Sequence, residues 1–241
     1  MPNPTAAMLV IGDEILSGRT RDSNMHHLAK ALSRAGVALR EARVVADDHA
    51  MIVGAVRTLA GAVDHLFTSG GIGPTHDDIT AEAVAEAMGV PIGVREDARA
   101  LLQAHYDAQG LEVNDARLRM ARIPEGATLI ENPISAAPGF TIGNVHVMAG
   151  VPQIFEAMVA SVLPTITGGA PVLSQTLTVA RGEGDIAAAV GTIAAEFPDL
   201  SVGSYPFIRA GAHGVNVVVR GTDAGRIDGA VVRLSALLEE T

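Results

Sequence analysis

Short apolar runs alternate with helix-like segments in the N-terminal part of this 241-residue chain. The runs 6–11, 37–45 and 63–68 have the length and composition of buried strands. The helical segments that follow them are 24–35, 49–61 and 79–88. Strands joined by helices form right-handed crossovers in a parallel sheet. We therefore expect an α/β fold of three layers, with a mostly parallel sheet and helices on both faces.

A Pro- and Gly-containing linker between residues 164 and 171 divides the chain in two. Before the linker we expect helices at 95–109, 114–121 and 152–163, a strand at 127–131, and a hairpin of strands 140–142 and 145–148. After it we expect a strand at 174–180, a helix at 184–196, strands at 200–205 and 214–220, and a helix at 222–239. The expected domains are residues 1–168 and a small C-terminal α+β domain, 172–241, in the order β-α-β-β-α. One hypothesis for the small domain is contact between subunits, since it is too small for a nucleotide site.

The composition excludes several classes of function. The net charge is −10, aromatic residues make up 3% and Trp is absent, so we expect no nucleic-acid partner. Cys is absent, which excludes disulfides and thiolate metal sites. The chain has neither a signal-peptide pattern nor an apolar run of the roughly 20 residues that cross a bilayer. We expect a cytoplasmic protein with no membrane partner.

The strongest local motif is the glycine-rich segment Thr68–Thr80, which joins a strand to a helix. Parallel sheets bind ligands outside the carboxyl ends of their strands. Gly70, Gly71 and Gly73 would let the backbone N–H groups approach a phosphate, next to the N-terminus of the following helix. The alternative is a tight turn with an aspartate cap.

Asp77 and Asp78 at the end of this loop sharpen the prediction. One of them is expected to cap the helix. Two adjacent carboxylates would repel a phosphate, and a divalent cation such as Mg²⁺ that bridges carboxylate and phosphate oxygens removes the conflict. His76 is either a ligand and proton donor or a solvated loop residue.

Acidic residues also follow the first two strands. Asp13 and Glu14 come after the first, and Asp47, beside Asp48, comes after the second. Each has a simpler explanation as a turn residue or helix cap. Three acidic sites after three successive strands are nevertheless expected to converge at one edge of the sheet.

These motifs resemble the MoaB/Mog molybdopterin-binding superfamily and, within it, the N-terminal part of competence/damage-inducible protein A (CinA). The segments that carry the resemblance are GDEILSG and DSN within 12–24, VVADD at 44–48, TSGGIGPTHDDIT at 68–80, NPISAAPGF at 132–140 and AGVPQIFEAM at 149–158. The tail, with VGSYP at 202–206, is similar to the small domain that follows this module in CinA-type and eukaryotic FAD-synthase-type proteins.

The resemblance implies a small-molecule nucleotide or pterin ligand. The Mog branch binds and adenylylates molybdopterin, whereas the CinA branch is associated with metal-dependent hydrolysis of nucleotide pyrophosphates. Asp77 stands where Mog-type proteins carry an Arg, and Ile72 where they carry Thr, which favours the CinA branch. The further ligand contacts that we expect from these motifs are Gly12, Asn24, Ser69, Thr75, Asn132 and Gly139.

Two positions depart from the CinA pattern. Ser135 stands in place of Gly and Ala149 in place of Pro, both in loops expected on the ligand side. The nicotinamide-nucleotide deamidase domain of CinA has no counterpart here, so we do not expect that reaction. Because relatives assemble, we expect a homo-oligomer.

Two functions remain open from the sequence. The first is a metal-dependent hydrolase of a nucleotide diphosphate linkage, such as that of ADP-ribose or FAD. Asp47, Asp77 and Asp78 would hold the cation and carry catalysis, while Asp13 and Glu14 would position the ligand or act as base. The second is non-catalytic binding, or adenylylation, of molybdopterin.

Overall fold

The computed structural model describes residues 3–209 and 212–239. Contacts between Cα atoms divide the chain into two compact units, residues 1–169 and 170–241. In the part of the chain that is described, no helix combines the length and apolar character needed to span a bilayer.

The first unit alternates strands and helices along the chain. Its strands are β1 (Thr5–Ile11), β2 (Ala38–Val45), β3 (His65–Ser69), β4 (Ile92–Val94), β5 (Arg122–Pro124), β6 (Thr128–Ile130), β7 (Gly139–Ile142) and β8 (Val145–Met148). Its helices are α1 (Asp13–Leu16), α2 (Asn24–Arg34), α3 (His49–Ala60), α4 (Thr80–Met88), α5 (Glu96–Ala108), α6 (Asp115–Leu118) and α7 (Pro152–Val162), with 3₁₀ turns at Arg119–Ala121 and Leu163–Thr165.

The main sheet has six strands in the order β2-β1-β3-β8-β7-β6. The first four are parallel, and β7 and β6 continue the sheet in antiparallel fashion. The expected mostly parallel sheet is thus confirmed, as is the hairpin at Gly143-Asn144, where Gly143 has a positive φ of 57°. Because β2, β1 and β3 are parallel neighbours, their carboxyl ends lie along one edge.

Strand β1 shows why the unit has three layers. Its residues are almost completely buried, and they alternate between two core clusters. Ala7, Leu9 and Ile11 pack with α3, α4 and α5, whereas the residues between them pack with α2 and α7 on the other face. The predicted helices on both faces are therefore confirmed.

The second unit contains β9 (Leu173–Val179), α8 (Glu183–Glu196), β10 (Ser201–Arg209), β11 (Ala212–Gly221) and α9 (Ala224–Glu239). Its antiparallel sheet has the order β10-β11-β9. Alternate residues Val215, Val217 and Val219 face a core shared with Ile186, Ile193 and residues of α9. The order of elements is the predicted β-α-β-β-α.

The sequence pattern missed several short elements. Helix α1 lies in a segment where we expected neither a helix nor a strand, and β4 and β5 form a separate two-stranded ribbon. The helix predicted at 114–121 is instead a single turn, α6, followed by the 3₁₀ turn. Elements of three or four residues have too few positions to show a period.

Candidate functional site

The loop after β3 has a backbone that only glycine accommodates. Gly70 has a φ of 109°, and a Cβ there would lie 2.2 Å from the Ile11 carbonyl oxygen. Gly71 has a φ of 68°, and a Cβ there would lie 2.2 Å from the Thr80 hydroxyl oxygen. Positive φ and the absence of space both exclude a larger residue. The glycines therefore bring the loop into close contact with the end of β1 and the start of α4.

Thr80, the first residue of α4, holds this loop in place. Its hydroxyl donates to the Gly70 carbonyl over 3.0 Å, and its N–H donates to the Gly71 carbonyl over 3.0 Å. The N-cap position is Ile79, and no side chain caps the helix there. The prediction that Asp77 or Asp78 caps α4 is thus wrong, because the helix start is tied to the glycines instead.

The amide of Gly70 points away from the predicted phosphate site. Its N–H donates to the Met148 carbonyl over 3.1 Å, which continues the pairing between β3 and β8. The prediction that this amide holds a phosphate is therefore wrong. Gly70 permits the sharp turn that places the rest of the loop.

The carboxylate of Asp78 folds back onto its own loop. Its Oδ2 accepts hydrogen bonds from the Thr75 N–H over 2.8 Å and from the Thr75 hydroxyl over 2.6 Å. A Cβ at Gly73 would lie 2.6 Å from the same oxygen, so glycine is needed for the carboxylate to fold back. Thr75 orients Asp78 and is not among the residues that line the pocket described next. His76 is solvated, with 98% of its side chain exposed.

A pocket of about 550 Å³ opens where the predicted motifs meet. All the residues that line it belong to the first unit. The predicted site residues among them are Gly12, Glu14, Asp47, Gly70, Gly71, Gly73, Asp77, Asp78 and Asn132. Asp13 lies next to it, in an open cleft shared with Glu14, Asp47 and Asp77. The acidic residues that follow three strands do meet at one edge.

Asp47 is central to this acidic edge. Its Oδ2 accepts the Asp13 N–H over 2.9 Å, whereas the neighbouring Asp48 caps α3 through the Met51 N–H. Burial raises the pKa of the Asp47 carboxyl, and the negative charges of Asp13, Glu14 and Asp77 raise it further. The hydrogen bond from Asp13 opposes this rise in pKa only in part. Ionised Asp47 therefore lies in a repulsive field that a cation would relieve.

The pocket lining combines acid with apolar surface. Its charged residues are Glu14, Asp47, Asp77 and Asp78, and no Lys or Arg occurs among the described lining residues. The sequence did not indicate its apolar wall, which includes Ile72, Met120, Val151 and Ile154. Met120 comes from the excursion between β4 and β5, far from any motif in sequence.

The acidic edge offers the oxygen ligands that a hard cation prefers. Within residues 3–209 and 212–239, however, no three carboxylate or imidazole groups form a ready-made metal site. Mg²⁺ is commonly bound by one or two carboxylates together with substrate phosphates, and an incomplete set of protein ligands fits that mode. Asp47 and Asp77 line both the pocket and the acidic cleft, whereas Asp78 does not line the cleft and its Oδ2 accepts two hydrogen bonds from Thr75.

Asn132 organises the opposite loop. Its Oδ1 accepts the N–H groups of Ile134 and Ser135, each over 3.1 Å, and its Nδ2 donates to the Ser135 hydroxyl over 2.6 Å. Ser135 and Ala149, the two departures from the CinA pattern, both line the pocket. Gly139 does not. It is buried in β7, where a Cβ would lie 2.4 Å from the Val147 carbonyl oxygen, so its predicted role as a ligand contact is replaced by one in packing.

Comparison with known proteins identifies both units. Residues 7–168 match the family described as "Probable molybdopterin binding domain". The chain belongs to this family. Residues 171–241 match a second family, "FAD synthase, middle domain". The resemblance to the MoaB/Mog superfamily, close to CinA, is confirmed.

Individual relatives agree with this assignment. A crystal structure of CinA from Thermoplasma acidophilum, described as having unknown function, is 36% identical with a TM-score of 0.62, and the match covers 67% of this chain and 98% of that one. A "CinA-like protein" of Desulfosudis oleivorans is 36% identical over 72% of this chain, and a "Probable FAD synthase" of Caenorhabditis elegans is 32% identical over 97% of it. The chain spans 45% and 50% of the lengths of these two relatives.

Proposed function

We propose that the chain hydrolyses the diphosphate linkage of a nucleotide such as ADP-ribose or FAD with the help of a divalent cation. The observation that carries this proposal is the lining of the pocket. It contains acidic residues, and none of the described lining residues is Lys or Arg. A diphosphate in such a pocket would need positive charge from outside this lining, from a bound cation or from Arg19 of the neighbouring acidic cleft.

Asp47 and Asp77 are the residues that would hold the cation. When bound, a divalent cation polarises phosphorus–oxygen bonds and favours the hydroxide form of water. Gly71 and Gly73 line the pocket, where a phosphate would lie against the backbone of their loop. Asp13, which lies in the acidic cleft with Asp47 and Asp77, would accept a proton from water. The apolar wall with Met120 and Ile154 would receive the base or ring of the ligand.

The test compares two neighbouring aspartates. We expect the protein with Mg²⁺ or Mn²⁺ to release mononucleotide from ADP-ribose or FAD, and Asp47→Asn to lower that rate at least about tenfold. Asp48→Asn is the matched control, because Asp48 caps α3 outside the pocket and Asn is also a good cap. Equal rates for the two variants would contradict the proposal.

A second candidate is binding, or adenylylation, of molybdopterin. The apolar wall beside hydrogen-bonding groups favours it, because a pterin is a flat ring with a polar edge. Thermal-shift screening shows whether the protein binds nucleotides, pterins or neither, because a bound ligand raises the melting temperature. Pterin binding without diphosphate hydrolysis under any metal would favour the second candidate. We also propose that the chain forms a homo-oligomer, which light scattering on the purified protein tests.

A further inference from the structure

A small side pocket opens next to the main one. It has a volume of about 50 Å³, and its lining shares Ile11, Glu14, Gly150 and Pro152 with the main pocket. One water needs roughly 10–15 Å³ of such space. The side pocket therefore has room for a small polar group but not for a ring.

The buried carboxamide of Asn24 lines this side pocket. Only 4% of Asn24 is exposed. Its Nδ2 donates to the Ser69 hydroxyl and to the Gly150 carbonyl, each over 2.8 Å. Because a carbonyl can only accept, the bond to Gly150 fixes which end of the amide is nitrogen.

The other end of this amide has no partner. The Oδ1 of Asn24 is buried, and it accepts no hydrogen bond from any described group. Buried amide oxygens are almost always paired in folded proteins, because leaving one without a donor is costly. A donor that a ligand brings would satisfy this oxygen once the lining shifts enough to expose it, because less than 1 Å² of the oxygen is accessible.

The surroundings indicate what kind of donor is missing. Glu14 contributes a second acceptor to the side pocket. Asp22 also lines it, but its two oxygens already accept the N–H groups of Asn24 and Met25 over 3.2 and 3.1 Å. Thr20, Arg21, Ser23 and Ser69 are the other side chains in the lining that can donate, and none of them is bonded to Oδ1. A group with two N–H hydrogens complements two acceptors.

We propose that the side pocket receives the exocyclic amino group of the ligand's heteroaromatic ring, with Asn24 Oδ1 accepting one of its hydrogens. This inference rests on the proposed function, because it assigns one end of the same ligand. Adenine and pterin rings both carry such a primary amine. The ring itself would lie along the apolar wall of the main pocket.

Matched ligand pairs test the proposal on the unaltered protein. The first pair is ADP and inosine diphosphate, in which an oxo group replaces the amine. The second is pterin and lumazine, which differ in the same way. We expect the amino member of one pair to bind at least about tenfold more tightly than its oxo partner, as measured by calorimetry. The pair that shows this preference identifies the ring.

Two variants locate the preference in the protein. Asn24→Ala is expected to reduce the ratio of affinities to nearly one, mainly by weakening the amino member. Asn144→Ala is the control. The Nδ2 of Asn144 also donates to two backbone carbonyls, those of Ala60 and Val63, each over 2.9 Å. Asn144 lines neither pocket. It is expected to cost stability and to leave the ratio unchanged.

The outcomes separate this inference from the proposed function. Equal binding of both members of each pair would overturn the amino-group site while leaving nucleotide or pterin binding intact. An unchanged ratio in folded Asn24→Ala would overturn the role of Asn24. If no member of either pair binds, with or without Mg²⁺, the proposed function fails and this inference fails with it. The ligand pairs decide the question even if Asn24→Ala does not fold.

Discussion

The two units of the chain bury different kinds of residue. The described buried polar residues are Asn24, Thr68, Ser69, Thr80, Asn132 and His146, and all six lie in the first unit. The described core of the second unit consists of apolar residues such as Ile193, Val217 and Leu234. Burying a polar group is costly unless it is bonded, so a core without such groups is the simpler way to a stable fold. Three of the six, Asn24, Ser69 and Asn132, line the main pocket or the side pocket, whereas Thr68 and His146 lie within strands β3 and β8.

The strongest test of this contrast removes the loop geometry of the first unit. Gly70→Ala places a methyl group 2.2 Å from a backbone oxygen at a φ of 109°. We expect a loss of about 4 kcal/mol or more in unfolding free energy, together with loss of ligand response. Chemical denaturation and calorimetry measure the two effects. Gly93→Ala, where a Cβ would meet open space, is expected to be close to wild type.

The converse test weakens the core of the second unit. Ile193→Ala leaves a cavity among fully buried apolar residues and is expected to cost about 3 kcal/mol. Because every residue that lines the pocket lies in the first unit, ligand affinity should not change. A parallel loss of affinity in folded protein would show that the second unit contributes to the site.

A third prediction concerns acid. Burial and, to a smaller extent, the nearby His65, whose Nδ1 lies 3.3 Å from the His146 Nε2, together lower the pKa of His146 from 6.5 to about 4. Between pH 6.5 and 4, His146 therefore binds a proton in the unfolded chain but not in the folded chain. The free energy of unfolding falls as the pH drops through this range. The expected loss is up to about 3 kcal/mol.

Denaturation at several pH values checks this prediction. His146→Gln should flatten the pH dependence, whereas His213→Gln, an exposed residue of the second unit, should not. If wild type and His146→Gln lose the same stability between pH 6.5 and 4, groups other than His146 cause the loss.

The smallest expected effect lies at the acidic edge. The raised pKa of Asp47 means that its ionised form destabilises the free protein at pH 7. Asp47→Asn keeps an oxygen for the Asp13 N–H and removes the charge. We expect the melting temperature to rise by about 1–2 °C without metal, because the group is partly solvated. A fall in melting temperature would show that the charge is already compensated.

The sequence was informative wherever a residue acts through its neighbours along the chain. Apolar runs and caps predicted most strands and helices of both units, and the alternation of strands and helices predicted the mostly parallel sheet. The meeting of Asp13, Asp47 and Asp77 in the acidic cleft beside the pocket followed from the same topology. These predictions needed only the rule that adjacent parallel strands end at the same edge of a sheet.

Features that depend on side-chain direction could not be predicted. The pattern did not distinguish Asp77 from Asp78, because only the fold shows that Asp77 lines the acidic cleft and Asp78 does not. It did not show that the Gly70 N–H belongs to the sheet or that Asn24 presents an unpaired oxygen. Met120 reaches the pocket from a distant excursion, and nothing near it in sequence resembles a site.

That excursion has a consequence for how such proteins diversify. Residues 92–124 begin and end in the ribbon of β4 and β5, which is separate from the six-stranded sheet, yet they supply part of the pocket wall through Met120. A substitution or length change in this segment would reshape the cavity without altering the order of strands in the six-stranded sheet. Ligand choice and architecture can therefore evolve under separate pressures.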